Sequence, residues 1–185
     1  MCGHLARHSD GGATRDRHTT QGAPVSELDQ ELLLASLAAQ RRHVLSAFHG
    51  LDEDQLHRSV LPSGWTPLAL VHHLTIDVEM WWFGAVVDGD AAVRAEIEAA
   101  DGWRPPDVPS AEIFQRYAAA CSRSDQIVRA RGLAADLAWW PDDQPRHLDN
   151  VPGVVLHVIA ETAAHAGHAD AAAELLDGRQ WLVLD

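Results

Sequence analysis

The sequence predicts an all-α protein folded as an antiparallel four-helix bundle. Three observations carry this. Four stretches place apolar residues at helical spacing, each is bounded by cap or breaker residues, and no stretch shows the two-residue alternation of a confident strand. With 185 residues and 46% hydrophobic content, the chain has room for one domain with a sizeable core.

Residues 1–24 are polar and Gly-rich without periodicity, so a disordered tail is expected there, followed by the bundle over 25–180 and a short C-terminal tail over 181–185. Ser26 and Asp29 make a capping-box-like start for the first helix, whose apolar face reads Leu33, Leu37, Val44 and Phe48 before Gly50. A turn over 51–60 and a Leu61-Pro62-Ser63-Gly64-Trp65 loop lead to the second helix. Thr66 offers its cap and Pro67 takes the first-turn position, where a missing amide hydrogen costs nothing. That helix runs to about Val87 and stops at Asp88-Gly89-Asp90. A Pro-containing acidic connection over 88–109 holds a short helix at 91–99. The third helix follows Ser110 and ends near Gly132, and a loop with Trp139-Trp140-Pro141 reaches Asn150. The fourth helix starts there, with Pro152 in its first turn, and ends at Asp177-Gly178.

Composition excludes several classes of function. The formal charge of −13 opposes binding to nucleic acid and to anionic membranes. Residues 78–87 look briefly membrane-like, but they contain Glu79 and are about half the length a spanning helix needs. No apolar leader precedes the first helix, so a cytoplasmic protein is expected. The two cysteines, Cys2 and Cys121, stand far apart with no CxxC pair, which argues against a disulfide framework or a cysteine zinc site. Cys121 shares a helical stripe with Ile113, Tyr117 and Val128 and reads as a small buried hydrophobe.

The fourth helix carries the chemistry. One seam reads Val155, Ile159, Thr162, Ala166, Ala169, Ala173, Leu176. The other reads Val154, Val158, Glu161, His165, His168, Ala172, Leu175, apolar at both ends and ionisable in its middle. Glu161 and His165 stand one turn apart on one face, and His157 flanks them. A carboxylate set into a core seam costs several kcal/mol unless it is paired, and no Arg lies within a turn of it on this helix. Two readings stand at this point: a metal ion held by the pair, or a Glu–His hydrogen bond in a partly wet groove. On the second helix, the stripe of His73 (Leu70, His73, Asp77, Met80, Gly84, Val87) points inward. The stripe of His72, with Thr75 and Glu79, reads as a boundary face. His73 is therefore the better third ligand, with Asp77 one turn away to orient it or to serve as a fourth. Trp81, Trp82 and Phe83 read as core packing, whereas Trp140, with Trp139, is placed to wall a pocket.

These residues carry a family resemblance. The run Gly64-Trp65-Thr66-Pro67 followed by His72-His73-Leu74 resembles the first motif of the DinB-like metal-dependent four-helix-bundle superfamily. Residues 156–170, through His157, Glu161, Thr162, His165, Gly167, His168 and Asp170, resemble its H-x-I-x-E-T-x-x-H-x-G-H-x-D signature. The version is similar to the branch of mycothiol-dependent transferases and maleylpyruvate isomerases. The resemblance implies that His73, eight positions after Trp65, joins Glu161 and His165 as metal ligands. It implies that His168 lines the site, in a place where relatives often carry Gln. The chain departs from relatives at Val151-Pro152-Gly153, where ordinary helix formers are usual.

The expected activity is that of a metal-dependent transferase. Two imidazoles and one carboxylate leave coordination positions open, as catalytic zinc sites do. Zinc is preferred, with nickel or iron as alternatives, since non-heme iron uses the same ligand set. By resemblance the thiol is mycothiol or a similar low-molecular-weight thiol, acting on a small-molecule electrophile. Rival readings are a metal-dependent hydrolase and a non-enzymatic metal or small-ligand binding bundle. The resemblance also allows a homodimer.

Overall fold

A computed structural model describes residues 27–180. The expected N-terminal tail, the Ser26 half of the first capping pair, Cys2 and the stretch over 181–185 lie outside the described residues. Within them the chain is helical: α1 (Glu27–Phe48), α2 (Glu53–Leu56), α3 (Pro67–His73), a π-helical segment (Leu74–Val87), α4 (Ala91–Ala99), α5 (Ser110–Arg131) and α6 (Val151–Asp177). The stretch expected as a turn over 51–60 contains α2, whose one turn is closed by a capping box between Asp52 and Gln55.

Local chemistry sets most boundaries. The Thr66 hydroxyl accepts from the Ala69 amide at the start of α3, with Pro67 in the first turn. Asp90 caps α4 and Asn150 caps α6 through the Gly153 amide. Gly178, at φ +80, ends α6 in a left-handed conformation that a side chain would strain. Helical backbone continues from α3 through Leu74 into the π segment, so the second long helix is one rod with a change of winding at His73. The π segment is buried on nearly every side, which accounts for its membrane-like composition. Among the described residues, no helix is long and apolar enough to cross a membrane.

Side-chain pairs give the helix directions. His43 meets Asp170, and the His49 carbonyl accepts from Arg179, so α1 and α6 advance together. Glu31 with Arg129 and Arg41 with Asp125 show α1 and α5 running opposed. His73 with His165 and Trp82 with His157 oppose the second long helix to α6. The order of directions is therefore mixed, with both parallel and opposed pairs of long helices. The long connection that holds α4 lets α5 begin at the end where α3 began, as crossover connections do in other bundles.

One continuous core joins Leu37, Val44, Leu70, Leu74, Phe83, Ile113, Tyr117 and Val158. A charged cluster is set inside it, and here the sequence reading needs correction. His72, Thr75 and Glu79 are buried and not at a boundary, Glu79 being 1% exposed. The reason is Arg41, which occupies a core position of α1. It donates from Nε and Nη2 to both Glu79 oxygens at 2.7 Å, and from Nη1 to Asp125 at 2.7 Å. A bidentate guanidinium satisfies a carboxylate that could not otherwise sit there.

Candidate metal centre and its flanking cavities

The change of winding at His73 places the end of α3 opposite the middle of α6. The His73 and His165 rings stand 5.0 Å apart at 70°. Two imidazoles bound through nitrogen at about 2.0–2.1 Å to one tetrahedral ion hold their ring centres roughly 5 Å apart. Glu161 lies between two histidines of its own helix, its oxygens 3.7 Å from His165 Nε2 and 4.0 Å from His157 Nε2. As the side chains stand, no three His, Cys, Asp or Glu among the described residues are gathered tightly enough to share an ion. The two histidines are brought together, and the carboxylate lies beside one of them.

Their hydrogen bonding suits metal ligands. His73 donates from Nδ1 to Asp77 Oδ2 at 2.8 Å, which fixes the tautomer and leaves Nε2 with its lone pair. His165 Nδ1 is buried without a hydrogen-bond partner. Burial, then the neighbouring His73 and His168, lower the pKa of His165 to about 4, despite the opposing pull of Glu161. Two imidazoles with an adjacent carboxylate are a donor set a divalent cation fits.

The remaining expected residues take distinct places. Asp77, one turn from His73, accepts the hydrogen bond described above. His157 packs against Trp82, ring centres 4.5 Å apart, and burial lowers its pKa. His168 is exposed, 5.8 Å from His165 and 6.5 Å from Trp65. His72 is buried, and burial lowers its pKa against the opposing pull of the Asp101 backbone and of Asp77. Trp140 walls a cavity of about 330 Å³ that Asp77, Trp81, Trp82 and His147 also line.

The sequence reading singled out neither Trp103 nor His147. Trp103 stacks on His73 at 4.0 Å and 13°, and its ring centre is 6.2 Å from His165. It reaches the site because Gly102 passes over Asp77: a Cβ on Gly102 would stand 1.8 Å from Asp77 Oδ2. A close-approach glycine before an aromatic residue was the one local signal in an aperiodic loop. With Trp65, Ser63 and Gly64, Trp103 borders a second cavity of about 430 Å³. The candidate centre is thus flanked by two cavities.

Residues 32–178 match the family described as Mycothiol-S-transferase. The chain is also similar to a protein named tRNA-specific 2-thiouridylase MnmA, from Mycolicibacterium smegmatis (strain ATCC 700084 / mc(2)155), 28% identical over 98% of this chain. It spans 56% of that protein's length. No solved structure matches.

Proposed function

Because the chain belongs to the mycothiol-S-transferase family, we propose that it is a metal-dependent transferase joining mycothiol, or a closely similar thiol, to an electrophilic small molecule. The observation that carries the reading is the pairing of His73 with His165 from two different helices, 5.0 Å apart, with Glu161 beside them. His73, Glu161 and His165 are assigned as the ligands of a divalent ion, zinc preferred. Such an ion supplies the electrostatic stabilisation that makes a thiol its nucleophilic thiolate at neutral pH.

The chain's own residues do the rest. Asp77 accepts a hydrogen bond from the Nδ1–H of His73 and so keeps Nε2 as a donor atom for the metal. The Trp103 indole covers one face of His73 and excludes water from it. The two cavities hold the reaction partners on either side, which converts an encounter in solution into a positioned one.

Elemental analysis of protein purified without chelators, run beside a mycothiol-conjugation assay, tests this. About one equivalent of metal and a conjugation rate above background are expected, with both lost in Glu161→Ala. Retention of full activity by metal-free protein would overturn the assignment.

A further inference from the structure

The cavity bounded by Trp82, Trp140 and His147 says something about the electrophile itself. It is close to the candidate centre, because Asp77 both lines it and holds His73. Its walls are aromatic and mutually braced: Trp82 and Trp140 lie 6.1 Å apart at 51°, and His147 stands edge-on to Trp140 at 5.0 Å and to Trp82 at 6.0 Å. Trp140 is fixed in place. Its Nε1 donates to the Gln144 carbonyl at 3.1 Å, and the Gln144 amide donates to the Pro141 carbonyl. Indole walls held this way favour a flat π-system, for which stacking and edge contacts add to simple burial.

The charges around this cavity point in one direction. Its lining holds no Arg or Lys; its ionisable side chains are one carboxylate, Asp77, and one imidazole, His147. Asp142 and Asp143 lie in sequence between Pro141 and Gln144, which both line it. The neighbouring guanidinium groups are committed elsewhere. Arg94 lies over Trp139 and donates to the Gly89 carbonyl, while Arg146 donates to the carbonyls of Leu148 and Asp149. An anionic ligand would lose its hydration here with no guanidinium or ammonium group in the wall to replace it. We infer that this cavity is the electrophile subsite and that it selects a flat aromatic electrophile without negative charge. The reaction assigned to that ligand rests on the transferase reading above; its binding does not.

Isothermal titration with two unreactive, shape-matched probes tests the subsite on the full chain. Para-nitrobenzyl alcohol is neutral, and para-(hydroxymethyl)benzoate is anionic. The neutral probe should bind at least about 10-fold more tightly. Trp140→Ala should weaken it by about 10-fold and Trp140→Phe by less than about 3-fold, since Phe keeps a ring. His147→Arg, which puts a cation in the wall, should narrow or reverse the preference. Equal affinities, tighter binding of the benzoate, or indifference to both Trp140→Ala and His147→Arg would overturn the proposal. The comparison in the unmodified protein stands even if a variant fails to fold.

Turnover separates the two claims. With para-nitrobenzyl chloride, the thiol sulfur bonds to the benzylic carbon, chloride leaves with the electron pair of the C–Cl bond, and the thiol proton passes to solvent. Selective binding of the alcohols without accelerated conjugation sinks the transferase reading and leaves the subsite. Conjugation without discrimination between the probes does the reverse.

Discussion

His73 owes its position to a neighbour on each side. Asp77 accepts a hydrogen bond from its Nδ1 at 2.8 Å, and Trp103 lies flat against its face at 4.0 Å. The carboxylate orients the ring and fixes its tautomer, so Asp77→Asn should weaken metal binding by about 10–100-fold while leaving the fold intact. Competition against a chelator of known affinity measures this. Unchanged affinity would mean that Asp77 merely fills space. These residues were unevenly legible. His73, Asp77, Glu161 and His165 could be found because they interrupt apolar stripes, where an ionisable group needs a reason. Trp103 could not, since no periodicity governs its loop and its place depends on the path of Gly102 over Asp77. His168 was read on the inner seam but is exposed, as is Leu175 at 59%. Ala172, between them on the same seam, is buried, so His168 and Leu175 lie at the seam's margin and not on its inner line.

At the scale of elements, the charged cluster between α1, the π segment and α5 sets the local constraints. Arg41 and Glu79 are both buried, and removing one strands the other. Glu79→Leu alone should cost about 3–5 kcal/mol in urea unfolding, and combining it with Arg41→Met should recover most of that loss. If the single variant matched the wild type, the pair would have no structural role. Cys121 sits beside this cluster. Burial, then the negative charge of Glu79, push its thiol well above the ordinary value of 9.0. The folded chain therefore keeps a proton that the unfolded chain releases, so this contribution is complete below about pH 9 and declines as the pH rises further. The melting temperature should fall above about pH 9, and Cys121→Ala should make that fall shallower. Identical pH profiles for the two proteins would contradict the linkage. None of this cluster's pairing was legible. Arg41 on a core stripe and Glu79 two helices away have no spacing relation, and only the packed structure shows that they meet.

For the whole molecule, the sequence told most where a local rule sufficed. Asn150, Pro152 and Gly178 marked both ends of α6, and Asp90 marked the start of α4. Helix directions and the π winding depend on how rods pack, and periodicity does not report that. The mixed order has a functional consequence: it sets the end of α3 against the middle of α6, with the α4 connection crossing over the result. Everything proposed for the function rests on that meeting point holding an ion. Zinc-edge X-ray absorption of metal-loaded protein tests it most directly. The account predicts two imidazole nitrogens and at least one carboxylate oxygen at about 2.0–2.2 Å, with imidazole scattering reduced in His73→Ala. A shell of oxygen alone, or a spectrum unchanged in that variant, would contradict it.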